Sequence, residues 1–263
     1  MNRLIDMEEV DVVAVVRAQP LSLSAQGKSR IKQHFRRVGW RFAWLLCFQR
    51  LIQGLGYALS LLLPGSRRGL LPAWKIARRH HIPVWQTRDV NAAETIEFLR
   101  SCEPELLVSA YFSQILKSEI LQVPGLGVLN IHPGWLPAYR GAMAYFWVLH
   151  NRSDRGGVSV HWIDEGIDTG ELLEQRGFKI AEKATQETVL AMTAVIGSRL
   201  LGRVIRRLQQ GRSPIGHVRS DDSGEADYYP MPGEEAFASY FEQRRFFRIR
   251  DVLGLMVFRG LRR

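Results

Sequence analysis

Two short apolar runs, at 128–131 (VLNI) and 158–163 (VSVHWI), constrain this chain most. Both are β-branched, too brief for helices and bounded by Gly, Pro or Asp, which predicts buried strands. The first carries Asn130 and delivers His132 before the chain breaks at Pro133-Gly134, with Pro137 soon after. The second leads into an acidic loop bounded by Gly166 and Gly170 that delivers Asp168. A carboxamide, an imidazole and a carboxylate therefore converge at strand ends, where open α/β sheets place their chemistry.

The rest of the chain fits that frame. Further strands are predicted at 10–16 (VDVVAVV), 82–86, 106–110 and 172–180, with a bulge at Gly177. Helices are predicted at 72–80, 92–101, 113–121 and 142–150. A long one begins at Thr185 and runs to Gln210, with Val189, Met192, Val195, Ile196, Leu200, Val204 and Leu208 at helical spacing. The alternation predicts an α/β fold, a mostly parallel, doubly wound, Rossmann-like sheet with helices on both faces. One domain is expected over 1–210, with an insert at 29–68. A polar, turn-rich wrapping segment follows from 211, then a basic amphipathic C-terminal helix.

Charge separates the appendages from the body. The formal net charge is +10. Residues 28–68 hold nine Lys or Arg and no acid, and residues 244–263 hold seven Arg against Asp251 alone, so the remainder is net acidic. Phe42 to Leu63 spans 22 residues with one charge, Arg50. Arg50, the Gly54/Gly56 pair and Pro64-Gly65 argue against a simple membrane span. A basic helix lying in an anionic membrane interface fits better, and the alternative is a helical hairpin packed on the domain or in a homodimer contact. Cys47 and Cys102 form no metal or disulfide spacing, which suits a reducing cytoplasm. With no signal peptide at the start, the expected location is cytoplasmic, peripheral on the inner face of the membrane.

Asn130 and His132 alternate on one strand and share a face. The Asn amide is a neutral donor for an oxyanion, and the His donates as imidazolium or acts as a base. Asp168 could hold the imidazole charged or take a proton through water. No Ser or Cys nucleophile motif and no zinc-ligand spacing accompanies them, so no metal is expected. The set suits direct acyl transfer to an amine through a tetrahedral intermediate. Asp164 reads as a loop-solvating acid, His161 as a packing residue beside the second strand or one that supports the site's side chains, and His150 as a charge at a helix C-terminus. Tyr139 and Arg140 either touch a substrate anion or lie in a solvated loop.

The run N-I-H-P-G-W-L-P-A-Y-R-G from Asn130, followed by D-E-G-I-D-T-G from Asp164, resembles the 10-formyltetrahydrofolate-dependent formyltransferase family. That family's pattern is N-x-H-P-S-x-L-P-x-x-x-G and then a D-x-G loop. The resemblance covers 10–16 and 70–210, and it implies transfer of a formyl group from 10-formyltetrahydrofolate to a small-molecule primary amine. Asn130, His132 and Asp168 match the catalytic residues. Ser113, Gln114, Ile115 and Leu116 match a loop whose backbone contacts the pterin. Gly134, Trp135, Leu136 and Pro137 match the folate-contacting segment, and the loop from Asp164 to Asp168 closes over the pterin.

Three departures carry expectations. Gly134 replaces the usual Ser, losing a hydroxyl but keeping backbone contacts. The family's first strand, which sits mid-sheet beside the equivalent of 10–16, is missing. Its absence predicts unpaired backbone and a groove in the core, unless the start codon lies further upstream or another segment fills the gap. The basic apolar insert at 29–68 is the third. With the basic segments, an amino sugar on a lipid-linked or nucleotide-linked glycan is the expected acceptor. Nucleic acid is not, since the tail is too short for the extra domain of tRNA enzymes. The alternatives are a non-catalytic, membrane-associated folate-binding scaffold and a formyltetrahydrofolate hydrolase.

Overall fold

A computed structural model describes residues 1–18, 39, 47–48, 51, 54, 72–211 and 227–243. The helical insert expected at 29–68 lies outside the described residues apart from five isolated positions. The C-terminal helix expected at 244–263 lies outside them altogether.

Strand formation follows the apolar runs. β1 (Val15–Ala18) pairs in parallel with β2 (Val84–Thr87). β3 (Leu106–Ala110) pairs in parallel with β4 (Gly127–His132). On its other edge β4 takes β6 (Arg155–Trp162) antiparallel, and β6 takes β7 (Leu172–Lys179) antiparallel. A two-residue β5 (Arg140–Gly141) pairs in parallel with β8 (Tyr228–Tyr229). Among the described residues three of these five pairings are parallel, and the fold is the expected α/β, mostly parallel and Rossmann-like. The helices are α1 (Asn2–Ile5), α2 (Ala73–Arg79), α3 (Ala93–Ser101), α4 (Ser118–Leu121), α5 (Ala144–His150), α6 (Gln186–Gln209) and α7 (Glu234–Gln243).

Parity decides what each face of the four-stranded sheet does, because successive side chains point to opposite sides. Leu129 and Ile131 of β4 face the same way as Val158 and Val160 of β6. That face is apolar and buries Leu200, Leu201 and Val204 of α6 beneath it. Full burial of each such side chain contributes about 1.5–3 kcal/mol. Thr185 caps α6 by accepting from the Thr188 N–H at 3.2 Å. The opposite parity carries Asn130, His132, Ser159, His161 and Gln175, a polar face.

Four local expectations are corrected. Of the run at 10–16 only the last two residues enter a strand, and β1 continues to Ala18 instead. Residues 11–14 have no ladder to join among the described residues, and apolar β-branched sequence alone does not make a strand. Helix is absent from Ser113–Leu116, which runs as a loop before α4. The bulge lies at Val160/His161, while Gly177 pairs regularly with Gly157. These two glycines leave room for the Trp135 ring, which a Cβ would approach to 2.6 Å at Gly157 and 3.2 Å at Gly177. Finally, the stretch read as turn-rich contains α7, whose Phe237 and Tyr240, one turn apart, pack on Phe146 of α5.

The expected break in the sheet is present. Among the described residues β1–β2 and β3–β4–β6–β7 form separate sheets, and a groove of about 930 Å³ lies against both β1 and β3.

Candidate active site

The polar face of β4 and β6 is assembled by register. Asn130 stands opposite His161, and His132 opposite Ser159. Cross-strand neighbours on one face lie about 5 Å apart, so four polar side chains are juxtaposed before any loop contributes. The bulge at Val160/His161 falls beside Asn130, a placement common next to active sites. The loop after β6 then brings Asp168 over them, with Asp168 itself in the left-handed region at φ 53°.

Asp168 is the hub. Its Oδ1 accepts from the Asn130 amide at 3.3 Å and lies 3.5 Å from His161 Nε2. Its Oδ2 accepts from the Gly141 N–H at 2.8 Å and lies 3.4 Å from His132 Nδ1. Burial pushes the Asp168 carboxyl up, but the His161 contact, the His132 ring and the Gly141 N–H outweigh it and hold the group below the usual carboxylate range. Asp168 is therefore an anion at neutral pH.

Of the two roles the sequence allowed, His161 takes the one that supports Asn130 and Asp168. Its Nδ1 lies 2.7 Å from the Trp162 carbonyl, which requires a proton there. With that proton alone on the ring Nε2 accepts from the Asn130 amide at 3.1 Å, and a proton on Nε2 would instead be donated to Asp168 Oδ1, the contact that lowers its carboxyl. The two Asn130 N–H groups are thus shared between His161 and Asp168. One of them has to be released before Asn130 can donate to an oxyanion.

His132 is buried, at 3% exposure. Its Nε2 lies 2.6 Å from the Tyr139 carbonyl, so Nε2–H donates there and Nδ1 turns to Asp168. Burial pushes the imidazole below its ordinary value, while Asp168 and the Tyr139 carbonyl pull the other way. The sequence left the ring's charge open between imidazolium and base; desolvation is the larger influence and favours the neutral ring beside the carboxylate. Such a pair can accept a proton at Nδ1 without leaving an isolated buried charge.

A clasp closes over this cluster. Tyr139 and Gly141 bond His132 and Asp168 respectively. The same segment is held by residues far along the chain. Arg140 N–H donates to Asp227 O at 3.1 Å and Ala142 N–H to Tyr229 O at 2.9 Å, with Tyr139 stacked on Tyr229 at 5.3 Å. Gly141 sits at φ 100°, and a Cβ there would overlap the Tyr229 carbonyl oxygen. Only glycine suits that close approach.

The neighbouring segment is anchored by one hydroxyl. Ser159, fully buried, donates to the Gly134 carbonyl at 2.7 Å and accepts from the Leu136 N–H at 3.1 Å and the Gln175 amide at 2.8 Å. Gln175 also donates to the Leu136 carbonyl at 2.7 Å. The Leu136–Pro137 peptide is cis. Gly134 lies against the His132 ring, Leu136 is buried and Trp135 spreads over Gly157 and Gly177.

Asn130, His132, Gly134 and Asp168 thus meet as expected. Asp164 turns inward on its own loop, accepting from Gly166 N–H at 3.0 Å and Thr169 Oγ1 at 2.7 Å. Ser113–Leu116 is tied to a different loop. The Gln114 amide donates to Arg88 O and accepts from Val90 N–H, and Ile115 O accepts from Asn91. Ser159 and Gln175 escaped the sequence reading, although polar Ser159 at the parity of His161 in an otherwise apolar strand was a usable signal. Among the described residues no cluster of His, Cys, Asp or Glu could hold a metal ion.

Residues 67–205, just over half of the chain, match the formyl transferase family. The chain belongs to that family. Among curated relatives, a methionyl-tRNA formyltransferase from Methylacidiphilum infernorum is 37% identical over 143 residues, covering 54% of this chain and 45% of the relative. One from Clostridioides difficile is 33% identical over 150 residues, covering 57% and 48%. The chain spans about half the length of the curated relatives it matches. Among solved structures, a phosphoribosylglycinamide formyltransferase from Bacillus halodurans aligns with a TM-score of 0.49 at 24% identity, covering 56% of this chain and 81% of that one.

Proposed function

We propose that this chain transfers a formyl group from 10-formyltetrahydrofolate to a primary amine, with residues 1–210 as the catalytic unit. The observation that carries the reading is the joining of Asn130, His132 and Asp168 through one buried hydrogen-bond network on the polar face of β4 and β6. The amine nitrogen bonds to the formyl carbon, and the bond from that carbon to N10 of the folate breaks. The oxyanion formed between these events takes an N–H of Asn130, released from His161 or Asp168. The amine's proton passes to His132 Nδ1, where Asp168 offsets the new charge, and from there to N10 as the bond from N10 to the formyl carbon breaks, which returns His132 to its starting state. The Gly134–Pro137 segment, held by Ser159 and Gln175, forms a wall of the donor pocket. The loop after β6 closes it, and Ser113–Leu116 contributes backbone contacts to the pterin.

Family membership supports the donor. For the acceptor, an amino sugar carried by a nucleotide or lipid fits the basic segments at 29–68 and 244–263, which would also seat the chain on an anionic membrane surface. Methionyl-tRNA is the second reading, favoured by what the two curated relatives are named for.

The test is formyl transfer to a panel of amino sugars, their nucleotide and lipid conjugates, and methionyl-tRNA. His132→Ala and Asp168→Asn are each expected to lower kcat/KM about 10²–10⁴-fold with unchanged folding. Transfer by His132→Ala at the wild-type rate overturns the assignment. Formate release without any acceptor points to hydrolysis instead.

A further inference from the structure

We infer that His161 gates the Asn130 amide: a proton on its Nε2 turns the ring from an acceptor of Asn130 into a donor to Asp168 and frees one Asn130 N–H for the oxyanion. His161 is then a positioning residue, and its part in turnover rests on the formyl-transfer reading.

The ring is placed by alternation along β6 and held by its own backbone. His161 shares the parity of Ser159 and stands opposite Asn130. It is 1% exposed, so its nitrogens take their partners from the protein. Nδ1–H is committed to the Trp162 carbonyl at 2.7 Å. Only Nε2 is left to change. It lies 3.1 Å from Asn130 Nδ2 and 3.5 Å from Asp168 Oδ1, and those two atoms are 3.3 Å apart. The three groups form a closed triangle around one exchangeable proton. Without that proton, Asn130 gives one N–H to Nε2 and the other to Oδ1, and neither is left for a ligand. With it, N–H groups on Nε2 and Nδ2 meet head-on. Nε2–H then has Oδ1 as its acceptor, and a charge-assisted bond of this kind is about twice as strong as a neutral one. Oδ1 has lone pairs for the ring and for one amide hydrogen. The second amide hydrogen loses its partner in the triangle and is available to the substrate.

Charge argues in the same direction. Among the described residues, the titratable groups facing His161 are Asp168 from the loop after β6 and His132 from β4, whose ring lies 6.4 Å away edge-on; β7 sets Leu172 opposite. In the tetrahedral intermediate the oxyanion and Asp168 carry two negative charges, and His132, holding the amine's proton, carries one positive charge. A neutral His161 leaves one buried negative charge unbalanced, and a protonated one closes the count at zero. The proton comes from solvent and stays on His161 through the transfer, since His132 alone exchanges protons with the amine and N10.

The test is an NMR titration of the full chain without donor or acceptor, following the His161 ring nitrogens and the Asn130 side-chain amide. As Nε2 gains its proton, one Asn130 amide hydrogen is expected to move upfield and to exchange with solvent at least about tenfold faster. An Asn130 amide unchanged across that step overturns the gate, as does a His161 ring that keeps a single proton wherever the chain is folded. Turnover is then read as kcat against pH. Wild type is expected to show a limb that falls with rising pH, centred where the His161 ring loses its proton. His161→Gln, which has no such proton to lose, is expected to lack that limb and to run about 10²-fold slower at the wild-type optimum. A wild-type profile without the limb, or the same limb in His161→Gln, overturns the role in turnover. If no amine accepts a formyl group, the formyl-transfer reading falls, while the titration still decides the gate.

Discussion

Replacing Ser159 with Ala tests how the Gly134–Pro137 segment is held. The change removes one oxygen and leaves a small, dry gap at a fully buried position. The hydroxyl makes three hydrogen bonds, to Gly134 O, Leu136 N and Gln175 Nε2. Gln175 keeps its bond to Leu136 O, so its loss is partial. Gly134 O and Leu136 N lose the partners that Ser159 provides. A buried group left unsatisfied costs about 1–3 kcal/mol, which places the destabilisation at about 2–4 kcal/mol after partial relaxation. For a chain of this size that corresponds to a fall in Tm of about 4–16 °C. Urea denaturation measures it directly, through a lower midpoint with an unchanged slope. If the segment forms part of the folate pocket, KM for the donor rises in the same variant while the His132–Asp168 pair stays in place. A Ser159→Ala protein within about 0.5 kcal/mol of wild type, the range of neutral surface changes, would refute the anchoring role.

Restoring the family's serine by Gly134→Ser is expected to harm this chain. A Cβ at that position falls 2.7 Å from His132 Nε2 and 2.8 Å from the Ala144 Cβ, so the ring has to move off the Tyr139 carbonyl. Overpacking of this kind costs about 1–3 kcal/mol, and a thermal melt alongside turnover should show both stability and kcat falling. The pH dependence follows from the two shifted groups. His132 is held below its ordinary value, so on acidification the unfolded chain takes up a proton that the native chain refuses. Stability is then lost as pH falls below the ordinary histidine value and continues to fall until the native pKa is passed. Asp168, also depressed, adds a further loss as pH drops below the ordinary carboxylate value and through its native pKa. Urea midpoints across this range should fall with acid, and the upper limb should vanish in His132→Gln.

Much of the sheet was legible because its strands are short, apolar and bounded by turn residues. The pairing of Asn130 with His132 on one face followed from alternation alone. The missing ladder beside residues 11–14 was legible only through resemblance, since local sequence gives every reason to expect a strand there. Strand formation needs a neighbour, and a neighbour is a non-local fact. The charge state of His132 was left open for a related reason. The sequence names the carboxylate that would hold a proton on the ring, but burial, which opposes it, is a property of the packed structure. Ser159 could have been found by parity. The clasp could not, because nothing in Tyr139–Gly141 announces that Asp227 and Tyr229 will reach it.

That clasp makes the Asn130–His132–Asp168 cluster a remote passenger of the last described segment. The two backbone bonds that join Arg140 and Ala142 to Asp227 and Tyr229 are a short zipper, anchored behind by Phe237 and Tyr240 in the α5 cluster. Peeling that zipper would take away from His132 its only carbonyl partner on the segment and from Asp168 the Gly141 N–H, although no residue of the polar face had been touched. Ring and carboxylate would then be free to share a proton more equally. The acidity of the site is thus set, in part, by how firmly a stretch nearly a hundred residues downstream holds on.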